Sequence, residues 1–556
     1  MKIPGWLMPA TPAQFNGWFL GSMGGMLLLV IWWLFFSKLR WADRLIFLAA
    51  FILGAVTMVM LSHPSLGIFG LILHGLPIST TAWVGWLILT QKMPWPMRKT
   101  GLLAVNALVW LAFLLIRMDG TDGKIDPTFS FRWSSTTEDH FLAELASKKN
   151  SPAPAAPAAL PPVPKEPESG DWPAFRGANR DGRLTGVKIA SDWEQHPPKQ
   201  LWRHRIGPGW SSFTVIGPRA YTQEQRGKDE LVVCYDANSG AELWTHSDEA
   251  RFSEVIAGPG PRATPTFFDG KIFAQGAKGK LNCLDASDGK AIWSRDIVAD
   301  TKASEPMWGF SASPLIFGGL VSVFAGGPGK SVIAYNVATG EPAWSGGKGS
   351  LSYCSVQQAK IDGVDQLLIT TSLGLESYDP KGGQVLWTYE WDIDKMSRVI
   401  QPAIVGGSDV LLGTGFGLGT RRIHVTHDGG QWTRSQVWMS QSIRPYYNDL
   451  VIHGEYIYGF DTDYLTCVSL ADGSRKWQAK GYGNGQVLLI ADQNLLLVLS
   501  EKGTAALVET NPQAHTLRGK FQAITGKTWN HPVIAHGKLF VRNGEEAACY
   551  EMAEQK

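Results

Sequence analysis

The chain has 556 residues, 44% hydrophobic and 18% charged, with 51 basic against 49 acidic side chains. That length allows several domains, the apolar content excludes disorder for the bulk of the chain, and the balanced charge leaves no basic footprint for nucleic acid. Five cysteines exclude a disulfide-stapled scaffold, whereas 61 glycines and 24 tryptophans point to an all-β repeat.

Four apolar stretches come first, at 15–36, 41–62, 67–90 and 101–117. Each is near the ~20 residues that cross a bilayer. A cleaved signal peptide accounts for one such stretch but not for four in series. The last is short and is expected to tilt or to thin the bilayer. Lys38, Arg40 and Arg44 flank the first connection and Lys92, Arg98 and Lys99 the third, while Ser62–Ser65 between them carries no Lys or Arg. The positive-inside rule then places connections one and three in the cytoplasm and everything after Arg117 outside. The expectation is a multi-pass protein of the inner (cytoplasmic) membrane, with its larger part in the periplasm. Gly17, Gly21 and Gly25 form a small-residue ridge, read either as packing within the helix bundle or as a dimer seam. His74 lies inside the third span and is the membrane candidate: a neutral histidine bonded between helices, or a site for a quinone head group or a proton path.

Residues 1–117 thus read as a four-helix transmembrane domain and 118–149 as a polar juxtamembrane segment. Asp119-Gly120 and Asp122-Gly123 give turns. A short helix runs over 137–148, with Thr136 or Thr137 at its N-cap and acids in its first turn. Residues 150–170 form a Pro/Ala-rich linker, extended at ~3.1 Å per residue and reaching roughly 60 Å.

Residues 171–556 repeat one pattern, Asp/Asn-x-x-x-Gly-x-x-x-Trp. It appears as Asp236…Gly240…Trp244, Asp285…Gly289…Trp293, Asn336…Gly340…Trp344 and Asp379…Gly383…Trp387, with a variant at Ser469…Gly473…Trp477. The glycine supplies a tight turn that the Asp or Asn caps, and the Trp opens the next strand and fills the space between sheets. Alternating strands such as Leu231–Tyr235, and hairpins such as the one at Asp269-Gly270, complete units of four short antiparallel strands. Such a unit is a propeller blade. Strand-opening aromatics from Trp202 to Phe521 space out to eight blades, the strand around Trp202 completing the last sheet. Seven is the fallback, because Gly430–Trp438 and Thr504–Phe521 have lost the turn signature. Cys234, Cys283, Cys467 and Cys549 occupy equivalent places before the turn and read as buried small hydrophobes. No Cys-x-x-Cys-His is present, so no covalent haem is expected.

A propeller binds ligands at the mouth of its channel, from loops entering each innermost strand. The repeat selects Trp210, Arg262, Thr264, Trp308, Tyr353, Arg398, Arg444, Tyr447, Asn484, Trp529 and Asn530 as candidate binding residues. Arginines, aromatics and amides without a carboxylate suit an anionic, flat or carbonyl-rich ligand or a peptide segment; the plain alternative is a water-filled, capped channel. No metal set emerges: His424 and His427, three apart on a strand, face opposite sides, and Glu305 reads either as an exposed loop acid or as a ligand or base pointing into the channel. Catalytic residues remain unassigned.

Asp171-Trp-Pro-Ala-Phe-Arg-Gly177, the Asp-Ala-x-x-Gly-x-x-x-Trp blades, Gly260-Pro-Arg-Ala-Thr-Pro265 and Lys527-Thr-Trp-Asn-His-Pro532 together resemble the pyrroloquinoline quinone (PQQ)-like propeller repeat family. The resemblance implies an all-β eight-bladed propeller of the quinoprotein alcohol dehydrogenase-like superfamily over 171–556. It leaves two functions open. One is a binding or assembly scaffold for a periplasmic protein partner or small ligand, with no cofactor. The other is a PQQ- and calcium-dependent membrane dehydrogenase of alcohols or sugars that passes electrons to membrane quinone, with Arg262, Arg398 or Arg444 clamping the cofactor's carboxylates. The departures from the enzymes are the lack of a vicinal Cys-Cys pair, of clustered Glu, Asn and Asp oxygens for a hard cation, and of long insertions between blades. They favour the scaffold. A third reading makes the helical part the active one, as a sensor or transport accessory.

Overall fold

The computed structural model describes residues 12–124, 126–149, 160–391, 398–415 and 417–553. The chain divides into two compact units, 1–135 with 254–258, and 136–253 with 259–556.

In the first unit, α1 (Pro12–Ile31) runs on into a π-helical turn, Trp32–Phe36. It is followed by α2 (Trp41–Leu61), α3 (Gly67–Leu89) and α4 (Trp95–Leu115). The last three are long and apolar enough to cross a membrane. The stretch 101–117 proves to be most of a 21-residue helix, so nothing in its length calls for tilting or thinning. Extended Pro94 and the Pro of the first turn start that helix early. Its first-turn cations fold back: Arg98 donates to the Leu87 carbonyl at 2.9 Å and Lys99 pairs with Asp43. Trp95 also donates to Asp43, at 3.0 Å. Arg44 donates to the carbonyls of Leu34, Ser37 and Leu39, closing the end of α1. The first and third connections, with their basic residues, therefore share one end of the bundle.

Close packing in this bundle runs through Gly54 and Gly101. A Cβ there would lie 2.1 Å from Trp110 and 2.0 Å from Trp86. By contrast, a Cβ at Gly21 or Gly25 would meet nothing within 4 Å, so that part of the α1 ridge is not a seam of the bundle. His74 sits in a π-helical turn of α3, Leu71–Gly75, with its ring 5.6 Å from Phe129 at 87°. Beyond α4 the chain enters a hairpin, Ile116–Thr121 paired with Pro127–Phe131.

The second unit is a ring of eight antiparallel sheets in chain order. Blades 1 to 4 span 214–248, 266–296, 315–346 and 357–390. Blades 5 to 7 span 403–440, 451–479 and 486–522. Blade 8 is Val533–Glu551 closed by Lys199–Arg205, with Trp202 opposite Cys549. The chain's start thus completes its last sheet, and the fallback of seven blades falls away.

The repeat motif has a packing reason. Each turn glycine takes a positive φ, about 71° at Gly240 and Gly340, and lies flat on the Trp of the preceding blade. That Trp in turn donates its indole N–H to a carbonyl of the same turn. Trp202 reaches Ala237 at 3.0 Å, Trp244 reaches Ala286 at 3.2 Å, Trp293 reaches Val337 at 3.0 Å and Trp344 reaches Pro380 at 3.0 Å. Glycine and tryptophan therefore form one contact between consecutive sheets. Blade 5 lacks the turn, and there Trp387 donates to Gln366 of its own sheet at 2.8 Å.

Helix α5 (Thr137–Lys149) belongs to this unit. Thr136 and Asp139 cap it reciprocally, at 2.9 and 2.7 Å. Glu138, 8% exposed, accepts from Arg251 at 2.8 and 2.9 Å and from the Gly227 amide at 2.8 Å, and so docks the helix on blade 1. Past the Pro/Ala run, the Pro161 carbonyl accepts from Arg219 at 2.9 Å and Val163 packs on the core between blades 1 and 2. Helix α5 and residues 161–163, on either side of the Pro/Ala run, are thus both held by the propeller.

Candidate functional site: the propeller channel

Two residues before the first strand of each blade stand Ser212, Thr264, Ser313, Ser355, Gln401, Asp449, Asn484 and His531. They line one level of the ring, and five hand a hydrogen bond to the next blade. The Ser212 amide donates to Thr264 Oγ1, Thr264 to Ser313 Oγ, Ser313 to Ser355 Oγ and Ser355 to Gln401 Oε1, each at 2.9 Å. The Gln401 amide then donates to Asp449 Oδ1 at 2.7 Å. Beyond Asp449 the relay changes form. Asn448 Nδ2 donates to the Gly485 carbonyl at 3.1 Å, and Gln486 to Trp529 O at 2.9 Å. Asn530 donates to Ser211 O at 2.8 Å, and Ser212 Oγ closes the circle on His531 O at 2.6 Å. Thr264 and Asn530 are therefore members of a structural collar.

The motif Asp171–Gly182 closes one end of this ring. Trp172 pairs with Val215 of blade 1, and the Pro173 carbonyl accepts from Phe267 of blade 2 at 2.8 Å. Arg180, 5% exposed, donates to Ser313 O and Pro314 O of blade 3 at 3.0 and 2.9 Å. Arg176 donates to Leu450 O of blade 6 at 2.6 Å, with its Nε 3.7 Å from Asp449. Arg183-Leu184 then adds a parallel strand to blade 7. A segment that touches blades 1, 2, 3, 6 and 7 crosses the ring. Burial lowers the Arg180 guanidinium to about 10 and pushes the Asp449 carboxyl up.

Aromatic rings crowd the open rim. Trp210 and Trp529 have centroids 5.0 Å apart, Trp529 and Tyr447 4.7 Å, and Tyr447 and Tyr446 5.5 Å. Lys527 lies over both tryptophans, 4.5 Å from Trp529 and 5.1 Å from Trp210. Under this ladder sits a carboxylate. Glu501 accepts from Trp529 Nε1 at 2.8 Å, from the Asn484 amide at 3.2 Å and from the Tyr447 hydroxyl at 3.5 Å. The expectation of a rim without carboxylates is thereby corrected. Glu501 comes from the hairpin between the second and third strands of blade 7, a loop that selection by strand-entry position leaves out. The signal present in the sequence is the turn Glu501-Lys502-Gly503. A second pair, Trp308 and Tyr353 at 5.0 Å, stands on blades 3 and 4; the Trp308 amide donates to the Tyr353 hydroxyl at 3.2 Å.

The three arginines do not converge. Arg444 forms a two-point pair with Asp461 at 2.5 and 3.1 Å, and Asp461 also takes Arg475 at 2.7 Å. Arg398, 2% exposed, donates to Trp391 O and lies 5.3 Å from the Trp391 ring. Arg262 donates to Gly260 O and lies 4.5 Å over Phe252. Among the described residues no three His, Cys, Asp or Glu side chains cluster as metal ligands. Asp392 and Asp394, further carboxylates that the sequence offers just after Trp391, lie outside the described residues. His424 pairs with Asp409 at 2.5 Å, while His427 stacks on Trp432 at 4.3 Å. Glu305 lies 4.0 Å from Lys278. All five cysteines are free and buried, and burial pushes Cys283, Cys354 and Cys549 up to about 12, leaving inert thiols. A quinone carrying several carboxylates together with a hard cation requires converging cations and clustered oxygens. Among the described residues Arg262, Arg398 and Arg444 hold separate partners, while Arg398 and Arg421 share the Trp391 ring, at 5.3 and 4.5 Å.

Residues 228–479 match a family model described as outer membrane protein assembly factor BamB. Among curated proteins, the quinohemoprotein alcohol dehydrogenase ADH-IIG of Pseudomonas putida is 27% identical over 193 residues, covering 33% of this chain and 26% of that protein. The outer membrane protein assembly factor BamB of Burkholderia pseudomallei is 25% identical over 250 residues, 38% of this chain and 64% of that protein. The chain thus matches about a quarter of the first relative's length and under two-thirds of the second's. Among solved structures, BamB from Moraxella catarrhalis has a TM-score of 0.46 at 15% identity, over 65% of this chain and 99% of that one. The quinohemoprotein alcohol dehydrogenase from Comamonas testosteroni has a TM-score of 0.49 at 12% identity, over 70% and 81%. The ring is a PQQ-like repeat propeller, related in sequence to an assembly factor and to a quinoprotein dehydrogenase.

Proposed function

We propose that this protein is a membrane-anchored, extracytoplasmic binding scaffold whose propeller rim takes a segment of a periplasmic protein partner. The observation that carries the reading is the Trp210–Trp529–Tyr447 ladder. It presents partly exposed aromatic faces around one carboxylate, Glu501, and one cation, Lys527. Such a rim offers stacking area and paired charges to a peptide, and aromatic anchors dominate protein recognition. The arginines that a dehydrogenase would use for its cofactor each hold a partner of their own, Gly260 O, Trp391 O and Asp461. The apolar helices α2–α4 and their basic ends support a multi-pass anchor with the propeller outside.

The dehydrogenase reading has its own support in the 27% identity to a quinohemoprotein alcohol dehydrogenase. Titration of the full chain in lipid nanodiscs with PQQ and Ca²⁺, followed by tryptophan quenching and dye reduction, separates the two. The scaffold predicts no saturable quenching up to ~100 µM; metal-dependent micromolar binding with alcohol- or sugar-dependent dye reduction overturns it.

A further inference from the structure

The segment after α4 reads as polar in sequence, yet it presents three aromatic side chains to the outside. Phe129 is 38% exposed, Phe131 55% and Trp133 65%. Phe131 and Trp133 stack at 4.9 Å with an interplanar angle of 11°. Phe129 and Phe131, two apart on one strand, share a face.

Their place is fixed by the helix ends. Ile116 follows Leu115 of α4 directly and pairs with Phe131 across the hairpin. The Arg132 amide donates to Leu115 O at 2.9 Å, and its guanidinium donates to Leu61 O and Leu114 O, each at 3.2 Å. Arg132 therefore caps the C-terminal ends of α2 and α4 together, where a cation is favoured, and holds the neighbouring rings at that level. The patch continues the exposed apolar surface of Met60 and Leu61, 76% and 60% exposed. At the other end of the bundle Trp32, Phe35 and Phe36, in the turn after α1, and Trp41, at the start of α2, are exposed. The 21 residues of α2 separate the two aromatic groups by ~30 Å, one hydrocarbon thickness.

Resting on the membrane reading of α2–α4, we propose that the 116–133 hairpin is a membrane-interface element. Phe129, Phe131 and Trp133 seat at the headgroup–acyl boundary of the bilayer those helices cross, with the Arg132 head at phosphate level. Aromatic side chains are enriched at that depth, and a basic head above them snorkels to the headgroups. A bilayer is favoured over a protein partner because the patch is continuous with the helices' own outward-facing apolar surface.

The test uses the full chain in phosphatidylethanolamine–phosphatidylglycerol vesicles. Because all five native cysteines are buried, single introduced cysteines carry a spin label at one site. The labelled variants are Trp133→Cys, Phe131→Cys and Ser134→Cys, the last keeping every aromatic ring. Leu53→Cys on α2 is the bilayer reference and Lys124→Cys at the hairpin turn the water reference. The proposal predicts labels at 131, 133 and 134 roughly 5–10 Å into the boundary, with relaxation by a water-soluble nickel chelate several-fold weaker than at 124. Labels at 131, 133 and 134 as nickel-accessible as the label at 124, with that at 53 in lipid, overturn the proposal and leave the membrane reading standing. A water-accessible label at 53 overturns both.

Discussion

Gly289 stands so close to Trp244 that a Cβ on the glycine would lie 2.4 Å from the indole ring, while that indole donates to the Ala286 carbonyl of the same turn. Gly289 also holds φ near +74°, a region that favours glycine. Gly289→Ala combines backbone strain with overpacking and is expected to cost about 2–4 kcal/mol. Thermal unfolding of the variant checks this. A loss below ~0.5 kcal/mol would show that the contact between sheets does not rest on the glycine.

Ring closure has its own pin. Arg542 of blade 8, 1% exposed, donates to Thr222 Oγ1 at 2.6 Å and to the carbonyls of Gln223, Gly207 and Gly209 at 2.9, 3.2 and 3.3 Å, all in or leading into blade 1. Arg542→Met removes these bonds from a buried site, and is expected to cost roughly 2–4 kcal/mol. Hydrogen exchange should rise first along 199–205 and 546–551, the strand pair that closes the ring.

Glu230 gives the propeller a pH dependence. Burial pushes its carboxyl from an ordinary value of 4.5 to about 7, opposed by the Ala277 amide, which lies 3.1 Å from both oxygens. Between those two values the folded chain holds a proton that the unfolded chain has released. Its contribution to stability is therefore full below 4.5 and declines as pH rises through 7. Glu230→Gln should lose that decline, so wild type minus variant stability, measured by denaturant unfolding across the range, falls toward neutral pH. A difference that stays flat contradicts the assignment.

Glu138→Ala removes the two-point pair with Arg251 and the bond to the Gly227 amide, one partner being largely buried. The expected cost to docking of α5 is about 1–2 kcal/mol. Limited proteolysis should show faster cleavage within 137–159, with the blades remaining intact.

The rim predicts differently. Glu501→Ala removes the acceptor of Trp529 Nε1 and should change near-ultraviolet dichroism and red-shift rim tryptophan emission, while costing only ~1 kcal/mol of stability.

Blade architecture was legible because one contact, a glycine under the preceding sheet's indole, writes two residues at constant spacing. It faded where other groups fill the same space. Gln366 takes the Trp387 donor beside blade 5, and Trp193, from a segment ahead of the ring, packs on Phe521 at 5.2 Å beside blade 7. Reading the mouth from strand-entry loops found the aromatic ladder. It missed Glu501, which arrives from another hairpin, and it could not foresee that Arg444 is held by Asp461, because that partner belongs to a strand 17 residues on. Charge at the rim depends on pairings across and within blades, which spacing along the chain does not encode. The docking of α5 was hidden for the same reason, since Glu138 and Arg251 lie 113 residues apart.

Site-directed photocross-linking asks directly whether the rim holds a protein segment. A photoreactive phenylalanine analogue replaces Tyr447 in the full chain in its host membrane, with the same analogue at the exposed blade-edge residue Ile292 as control. One discrete protein adduct is expected from position 447, absent from 292 and lost on adding Trp210→Ala and Trp529→Ala. No protein adduct from 447, or one equally strong from 292 and indifferent to the two tryptophans, would contradict the scaffold reading.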